Sequence, residues 1–374
     1  MKIMVLMAAC AATVLLNAET PYAFRQRLVT VHRQDRRDFS QKVEEGEFEF
    51  QNGAQIVVPA DAPALVRRAA EDFCDYLLVS MDLNASVRSA AEEARPGLSA
   101  AVELTLAAAE KQGYTVETGT NGVRIVATDD RMAAQALYHL EDMMNLRRGP
   151  FLKHGKERRA PYFTHRLTFS GYGNDIFPDA HLNQIAHHGY TCIEVWLGGY
   201  DVISQGEKQD VNDLIKRAAR YGLDVKLSPR NRAYIHPDDP KAEAMYDDAY
   251  GRLAKFYKGA CGISFVGEVN EFPSKDKRSN GGNHRAKKPS DAGKPYPGWF
   301  PCYDWADWVK KVKPIINRHN PNCRFIFSTY NWGFQDEKDY VGVQGDNIIE
   351  TQGKSDYKIH KMIRSSNIVH QFFC

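Results

Sequence analysis

The chain has 374 residues, and its 49 Lys and Arg against 47 Asp and Glu give a formal net charge of +2. At roughly 100–200 residues per domain, this length predicts two or three domains. A content of 43% hydrophobic and 26% charged residues argues against long disorder, collagen and small disulfide scaffolds. So balanced a charge gives no global electrostatic reason to expect nucleic acid or an anionic membrane as a partner.

Residues 1–18 have the pattern of a secretory signal peptide. Lys2 supplies a positive charge, residues 3–16 are apolar and uncharged, and cleavage is expected after Ala18. The apolar run is shorter than the about 20 residues that span a bilayer, and no later segment is apolar enough to do so. We therefore expect a soluble protein, secreted or periplasmic. The alternative is a buried N-terminal helix or an uncleaved anchor.

Residues 19–150 are predicted to form a small N-terminal α/β sandwich domain. After a polar lead-in, segments 47–50 and 55–58 flank Asn52-Gly53, which is typical of a β-hairpin. The elements expected next are a helix at 62–81, a strand at 101–106, a second hairpin at 114–117 and 123–127, and a helix at 131–146 capped by Asp129 or Asp130.

The charged segment 151–161, which ends in Ala160-Pro161, indicates a linker. From residue 162 onward, short apolar strands alternate with helical patterns, as in βα units around a parallel sheet. Strands are expected at 165–170, 192–197, 224–228, 262–267, 324–330 and 347–351, and helices at 178–188, 209–221, 241–257, 305–317 and 357–365. Polar and aromatic residues at the carboxyl ends of the strands favour a (β/α)8-type barrel over a doubly wound sheet. Six units where eight close a barrel predict that 162–374 is an incomplete, truncated catalytic domain.

The cysteines and histidines give no sign of a metal site. None of the cysteines that follow the signal forms a CxxC pair, and Cys192, Cys261 and Cys323 adjoin apolar runs that predict burial. His187, His188 and His284 lack partners at ligand spacing. We therefore expect no metal and no cofactor.

Three segments of the predicted N-terminal domain and one at the start of the predicted barrel carry a family resemblance. Segments 113–117 (GYTVE), 121–127 (NGVRIVA) and 133–140 are similar to the domain that precedes the barrel in bacterial β-hexosaminidases and α-glucuronidases. Segment 160–166 is similar to the entry into that barrel, where an arginine stands on the first strand. The resemblance covers about residues 45–350. It implies a barrel enzyme that removes a terminal sugar.

The fourth predicted strand departs from the hexosaminidase pattern. Hexosaminidases carry an Asp-Glu pair there, in which Glu is the general acid and Asp orients the acetamido group of the substrate. Here Glu268 follows Gly267, so substrate-assisted catalysis and N-acetylhexosamine specificity are not implied. The α-glucuronidase type, with its Glu acid on this strand and its base from a later strand, also resembles this layout.

Three glutamates are the candidate catalytic groups. Glycosidic cleavage uses two carboxyl groups that flank the bond, and catalytic groups of barrels stand at the carboxyl ends of strands. Glu268 and Glu271 follow the fourth strand, and Glu350 ends the sixth. The alternative is that each is a surface carboxylate.

The candidate sugar-binding residues also lie on predicted strands or just after them. Flat aromatic rings stack on sugar faces, and the guanidinium group offers several donors to hydroxyls or to a uronate carboxylate. The candidates are Trp196, Arg230, Tyr330, Asn331 and Trp332, together with Arg166, which resembles the hexosaminidase arginine that binds the terminal sugar. Core packing and structural ion pairs are the alternatives.

The basic segment 273–297 admits a nucleic-acid interpretation. It follows the candidate catalytic strand, however, and is rich in Gly and Pro, so we favour a long βα loop over the active-site mouth. The sequence therefore predicts a secreted glycoside hydrolase with a carbohydrate substrate and no nucleic-acid partner. A non-catalytic carbohydrate-binding pseudo-enzyme of the same fold is the alternative, and a scaffold without a sugar site is the third possibility.

Overall fold

In a computed structural model, the protein is described over residues 23–93, 98–169, 176–203, 208–230, 233–266, 272, 275, 304–328 and 368–370. It divides into two compact units. One comprises residues up to Thr164 with Phe177–Gly189, and the other comprises His165–Ile176 with residues from Tyr190 onward. Within the described ranges, no helix combines the length and apolarity needed to cross a membrane. The predicted signal peptide lies outside these ranges.

The first unit contains a six-stranded sheet, a separate strand pair and helices. Its elements are α1 (Ala23–Val29), β1 (Glu47–Glu49), β2 (Ala54–Val58), α2 (Ala64–Met81), β3 (Ala85–Ser89), β4 (Ala100–Leu106), β5 (Tyr114–Gly119), β6 (Gly122–Ala127), α3 (Asp130–Arg147), β7 (Phe151–Lys153), β8 (Gly155–Arg159) and α4 (Asp179–His187). The large sheet has the strand order β3-β2-β4-β6-β5-β8. The first four strands of this order are parallel, and β5 is antiparallel to both of its neighbours.

The first predicted hairpin is wrong, whereas the second is confirmed. β1 pairs antiparallel with β7, while β2 pairs in parallel with β3 on one side and β4 on the other. All five residues of β2 are buried, as expected of a central strand that neighbours cover on both faces. Asn52-Gly53 does form a turn, with Gly53 at φ +83°, but the turn only reverses the chain locally. β5 and β6 form the second hairpin.

The segment predicted as a linker contains two strands instead. β7 completes the pair with β1, and β8 adds an edge strand to the large sheet beside β5. Every residue of β8 is exposed, and its Lys156 Nζ lies 2.9 Å from Glu117 Oε2 on β5. A charged edge strand that buries neither face lacks the apolar alternation by which strands are predicted.

Helices α2 and α3 form the core of the first unit with the sheet. Phe73 and Leu77 of α2 and Leu137 of α3 have no exposed surface. The predicted cap of α3 is confirmed, because the Asp129 carboxylate accepts a hydrogen bond of 2.8 Å from the backbone N–H of Met132. Such a cap satisfies one of the donors that the first turn of a helix leaves free.

The second unit is built on parallel strands. Its elements are β9 (Leu167–Phe169), β10 (Cys192–Gly199), β11 (Val202–Ile203), α5 (Val211–Ala219), β12 (Asp224–Pro229), α6 (Ala242–Tyr246), one π-helical turn (Asp247–Gly251), α7 (Arg252–Phe256), β13 (Gly262–Val266), α8 (Trp305–His319), β14 (Arg324–Ser328) and β15 (Ile368–His370). The predicted strand at 347–351 and helix at 357–365 lie outside the described residues.

The parallel strands follow one another in chain order. β9, β10, β12, β13, β14 and β15 are neighbours in this sequence, and every pair is parallel. β11 is a short antiparallel addition beside β10. A doubly wound sheet reverses its strand order at a switch point, whereas a barrel adds each strand beside the preceding one. The observed order confirms the barrel-type architecture predicted for this region.

The predicted helix at 241–257 is interrupted by the π-helical turn. Gly251 ends this turn, and the carboxylate of Asp247 lies where a Cβ on Gly251 would stand. Asp247 Oδ1 is 2.7 Å from His319 Nε2 of α8. The extra residue in the turn therefore accommodates a side-chain contact between neighbouring helices, which a helical pattern in the sequence does not reveal.

Candidate functional site

The register between β10 and β12 separates their side chains onto two faces. The paired residues of one face are Cys192 with Asp224, Glu194 with Lys226, and Trp196 with Ser228. Alternate side chains of a strand point to opposite faces, so the buried Val195 and Leu227 share the other face. On β13, Phe265 belongs to this apolar face and its ring centroid lies 5.0 Å from that of Trp308 in α8. Helices therefore cover the apolar face, and the polar face is the barrel interior.

A buried ion pair occupies the middle of this interior. Glu194 Oε2 and Lys226 Nζ are 3.1 Å apart, and each side chain is only 1% exposed. Ser264 of β13 lies on the same face and is also buried. Buried charges occur in proteins when they are paired, and this pair fills the layer below the carboxyl ends of the strands.

An aromatic platform lies at the carboxyl ends of β9, β10 and β12. We define it as Phe169, Trp196 and Arg230. The rings of Phe169 and Trp196 stack at 5.9 Å between centroids and 19° between planes, and the Arg230 guanidinium lies 5.9 Å from the Trp196 ring. The backbone N–H of Arg230 donates to Leu197 O at 2.9 Å, which fixes the start of its loop against β10. Two of the predicted sugar-binding residues, Trp196 and Arg230, therefore lie side by side.

The indole N–H of Trp196 is buried and donates to no acceptor among the described residues. A buried donor without an acceptor costs about 1–3 kcal/mol. An indole whose N–H donates to a ligand oxygen and whose face is available for stacking is a common arrangement in ligand sites. The platform can therefore supply a stacking surface, a neutral donor and a cation within one small region.

Arg166 has a different position. It directly precedes β9, and its carbonyl accepts hydrogen bonds from the backbone N–H groups of Thr191 and Cys192 at 2.7 and 3.1 Å. Its main chain therefore lies at the amino ends of β9 and β10, whereas the platform lies at their carboxyl ends. The proposed contact between Arg166 and the sugar stays a prediction.

The other predicted site residues lie outside the described residues. These are Glu268, Glu271, Glu350, Tyr330, Asn331 and Trp332. The basic segment 273–297 also falls outside, apart from Lys275. The described structure places the ends of the preceding strands, since β13 ends at Val266 and β14 at Ser328. The catalytic roles of the glutamates stay predictions.

The cysteines of the second unit are thiols in the described structure. The Sγ atoms of Cys192 and Cys261 are 3.9 Å apart, and this hydrogen-bonded contact, together with burial, raises the pKa of Cys192 well above its usual value. Burial raises the pKa of Cys323 to about 12. Cys192 and Cys323 are buried, as predicted, and Cys261 is half-buried. Thiols with raised pKa values are poor nucleophiles, so these two side chains pack rather than react.

Asp201, which follows β10, serves the local structure. Its Oδ1 accepts hydrogen bonds from the Tyr257 hydroxyl at 3.0 Å and from the backbone N–H of Val211 at 3.1 Å. Its own N–H donates to the Tyr257 oxygen at 2.8 Å. These contacts hold the turn between β10 and α5, with Asp201 itself at φ +53°.

The structure also contains one cluster of chemically active residues that the sequence patterns do not predict. His32, Asp72 and His187 of the first unit place ligand-type atoms within 4.8 Å of one another, and Glu141 adjoins them. They are 40 to more than 100 residues apart in the chain, so no motif connects them. The available signal was Glu141 itself, a charged residue within the apolar stripe of α3.

Comparison with known proteins shows which solved structures have a similar fold. No family model matches the sequence, and no curated protein matches it. Solved structures do match. The GH20 β-N-acetylhexosaminidase of Streptomyces coelicolor A3(2) aligns with 87% of this chain and 72% of its own at 12% identity and a TM-score of 0.54. The chain has a hexosaminidase-like glycoside hydrolase fold.

Two further solved structures are similar to this chain in fold. A mutant β-hexosaminidase of Streptomyces plicatus, in complex with the product GlcNAc, aligns over 87% of this chain and 72% of its own at 13% identity and a TM-score of 0.55. The Flavobacterium johnsoniae chitobiase aligns over 76% of this chain and 50% of its own at 11% identity and a TM-score of 0.53. The expected N-terminal α/β domain followed by a barrel is therefore confirmed, and identities this low establish the fold alone.

Proposed function

We propose that the protein is a glycoside hydrolase that removes a terminal sugar from an oligo- or polysaccharide. The platform of Phe169, Trp196 and Arg230 carries this proposal. It lies where the catalytic groups of barrel enzymes stand, at the carboxyl ends of parallel strands. Its stacked rings suit the apolar face of a sugar ring, and its guanidinium suits hydroxyl or carboxylate oxygens. The hexosaminidase-like fold supports the same reaction class.

In this proposal, Glu268 protonates the leaving oxygen, and Glu271 or Glu350 supplies the second carboxylate. A carboxyl group that follows a buried strand is shielded from water on one side, and such shielding suits a general acid. Trp196 and Arg230 hold the terminal sugar, with Tyr330, Asn331, Trp332 and Arg166 as further contacts. Two of the similar structures are hexosaminidases by name, whereas Gly267 stands in this chain where the hexosaminidase resemblance implies the Asp of an Asp-Glu pair. We therefore include both acetamido sugars and uronates as substrate classes.

The test is turnover of an aryl glycoside panel that includes the N-acetylglucosaminide and the glucuronide. Glu268→Gln should lower kcat by about 10²–10⁴-fold, the usual contribution of a general acid, while sugar binding in calorimetry persists. Trp196→Ala should instead weaken binding about ten-fold, which corresponds to roughly 1.4 kcal/mol of lost stacking. The exposed Glu243→Gln on α6 is the matched control and should change neither.

A non-catalytic carbohydrate-binding protein is the second candidate, because Gly267 precedes Glu268. It predicts sugar binding that Trp196→Ala weakens, without turnover of any glycoside in the panel. Absence of both turnover and binding would contradict both candidates.

We also propose export, based on the signal-like residues 1–18. Expression of the full chain in a Gram-negative host, followed by mass spectrometry of the periplasmic fraction, should give a mature protein that begins at Glu19. An intact N-terminus in the cytoplasm would contradict this proposal.

A further inference from the structure

Four ionisable side chains, of which Asp72 and Glu141 are buried and His32 and His187 are half-buried, converge in the first unit from four separate segments. His32 precedes the short 3₁₀ turn at Gln34–Arg36, Asp72 lies on α2, Glu141 on α3 and His187 on α4. The four side chains are between 5% and 13% exposed. Such groups are rarely buried together unless they are paired or bind a metal.

The distances between their polar atoms are short and of similar size. His187 Nε2 lies 2.9 Å from Asp72 Oδ2 and 3.2 Å from Glu141 Oε2, and His32 Nε2 lies 3.4 Å from Asp72 Oδ1. Ligand atoms about 2.0–2.1 Å from a tetrahedral Zn²⁺ are about 3.3 Å from each other. Three of the atom pairs therefore already have the spacing of neighbouring ligands around one ion.

The hydrogen bonds of the cluster are incomplete. Within the described structure, His32 Nε2, Asp72 Oδ2, Glu141 Oε1 and His187 Nε2 are all buried without a hydrogen-bond partner. The close approach of His187 to the carboxylates thus lacks hydrogen-bond geometry. Each buried polar atom left in this way costs about 1–3 kcal/mol. Unpartnered atoms on four converging side chains, three of which place ligand-type atoms within 4.8 Å of one another, indicate a shared ligand that accepts their lone pairs.

Asn183 orients two members of the cluster. Its backbone carbonyl lies 2.9 Å from His187 Nδ1, which must carry the proton in this hydrogen bond, so the lone pair of neutral His187 is on Nε2. The side-chain Nδ2 of Asn183 donates to Asp72 Oδ1 at 2.6 Å. Metal-binding histidines and carboxylates characteristically have such outer partners, which set the tautomer and the ring orientation.

Charge also favours a divalent cation. Burial raises the pKa of Glu141, and a divalent ion favours the ionised carboxylates of Asp72 and Glu141, whose two negative charges it neutralises when the imidazoles are neutral. Two imidazoles with carboxylates are the ligands of zinc and related transition metals. A cavity of about 1060 Å³, lined by Glu141 and His187 among others, provides an entry path.

We propose that His32, Asp72 and His187 bind a divalent transition metal, for which Zn²⁺ is the probe, with Glu141 as the adjacent charge-balancing carboxylate. Ligands from three segments would let one ion hold the chain around His32 to α2 and α4, with Glu141 of α3 beside it. The site is structural in this proposal, and it is independent of the glycosidase chemistry proposed for the second unit.

A proton on His187 is the competing occupant. Burial lowers the pKa of this imidazole, but the charges of Glu141 and Asp72 outweigh burial and raise it to about 10. A protonated His187 neutralises only one of the two carboxylates and leaves the unpaired atoms of His32 and Glu141 unexplained. Metal uptake must displace this proton, because ligands bind metals in their deprotonated form.

The experiment uses the purified full-length protein, freed of metal by a chelator and then titrated with Zn²⁺ and, separately, Co²⁺. We expect one Zn²⁺ per chain in elemental analysis, a higher thermal unfolding temperature with Zn²⁺, and visible absorption bands of low-symmetry Co²⁺. His187→Gln and His32→Gln should each lose this binding. Asn183→Ala should weaken it about 10–100-fold, as expected for an orienting partner.

The matched control is His188→Gln. His188 adjoins His187 in the chain, is exposed, and contacts the Gln184 carbonyl through Nδ1, so its replacement should leave metal binding intact. A folded wild-type protein that binds no Zn²⁺ and shows no Co²⁺ bands would overturn the proposal and leave an ion-pair cluster. Binding that survives both His187→Gln and His32→Gln would overturn it as well, because the ion would then be bound elsewhere.

Discussion

Replacement of Lys226 by Met removes the cation that faces Glu194 in the barrel interior. The two charged atoms are 3.1 Å apart and both side chains are 1% exposed. At this distance and an effective dielectric constant of about 20, their attraction is on the order of 5 kcal/mol. Removal of one member of a buried pair costs about 3–5 kcal/mol, because the remaining charge stays out of water and loses its ion-pair partner. We expect Lys226→Met to reduce the free energy of unfolding by about this amount.

Urea unfolding followed by circular dichroism measures the loss, since the free energy of unfolding falls linearly with denaturant. Lys216→Met on the exposed side of α5 is the matched control, for which we expect a change within about 0.5 kcal/mol. The double variant Glu194→Leu with Lys226→Met should recover most of the loss, because apolar replacements of buried pairs are often neutral. The reasoning is refuted if Lys226→Met resembles the control, or if the double variant is less stable than the single one.

Two further predictions concern the first unit. Asp129→Ala should lower the free energy of unfolding by about 1 kcal/mol in urea titrations, because α3 loses its N-cap. Asp142→Ala, on the exposed face of the same helix, is the control. An equal loss of stability in this control would contradict the capping explanation. Hydrogen bonds from Arg147 lower the pKa of Glu47 below 4.5, so Glu47 adds stability above its unfolded pKa that is lost as the pH falls through the lowered folded pKa. Unfolding at a series of pH values should therefore show Glu47→Gln less stable than wild type at pH 7 and nearly equal to it once the pH has fallen through the lowered folded pKa of Glu47; a constant difference would be inconsistent with this linkage.

Hydrophobic periodicity predicted much of the fold because it depends only on residues that are close together in the sequence. The βα alternation after residue 162 predicted β10, β12, β13 and β14 with their helices, and the Asp129 cap predicted the start of α3. These features depend on neighbours within a few turns or strand residues. They also indicated the order of a barrel, since short connections place consecutive parallel strands side by side.

Pairing partners were predicted less well. Asn52-Gly53 indicated a hairpin, but β2 buries both faces and pairs with β3 and β4. β8 was interpreted as a linker because its charged residues bury neither face. Which strand covers an edge depends on segments that are distant in the chain, and a local turn does not carry this information.

The sequence by itself determined the class of this protein, namely an α/β domain followed by parallel βα units with aromatic and basic residues at the strand ends. It also singled out Trp196 and Arg230, because each lies at the carboxyl end of a predicted apolar strand. Only the tertiary structure decided that these two lie beside Phe169, and that His32, Asp72, Glu141 and His187 meet at one buried point. These contacts join residues 27 to 155 positions apart, and their geometry is set by the packing of whole helices and strands, which short-range patterns do not encode.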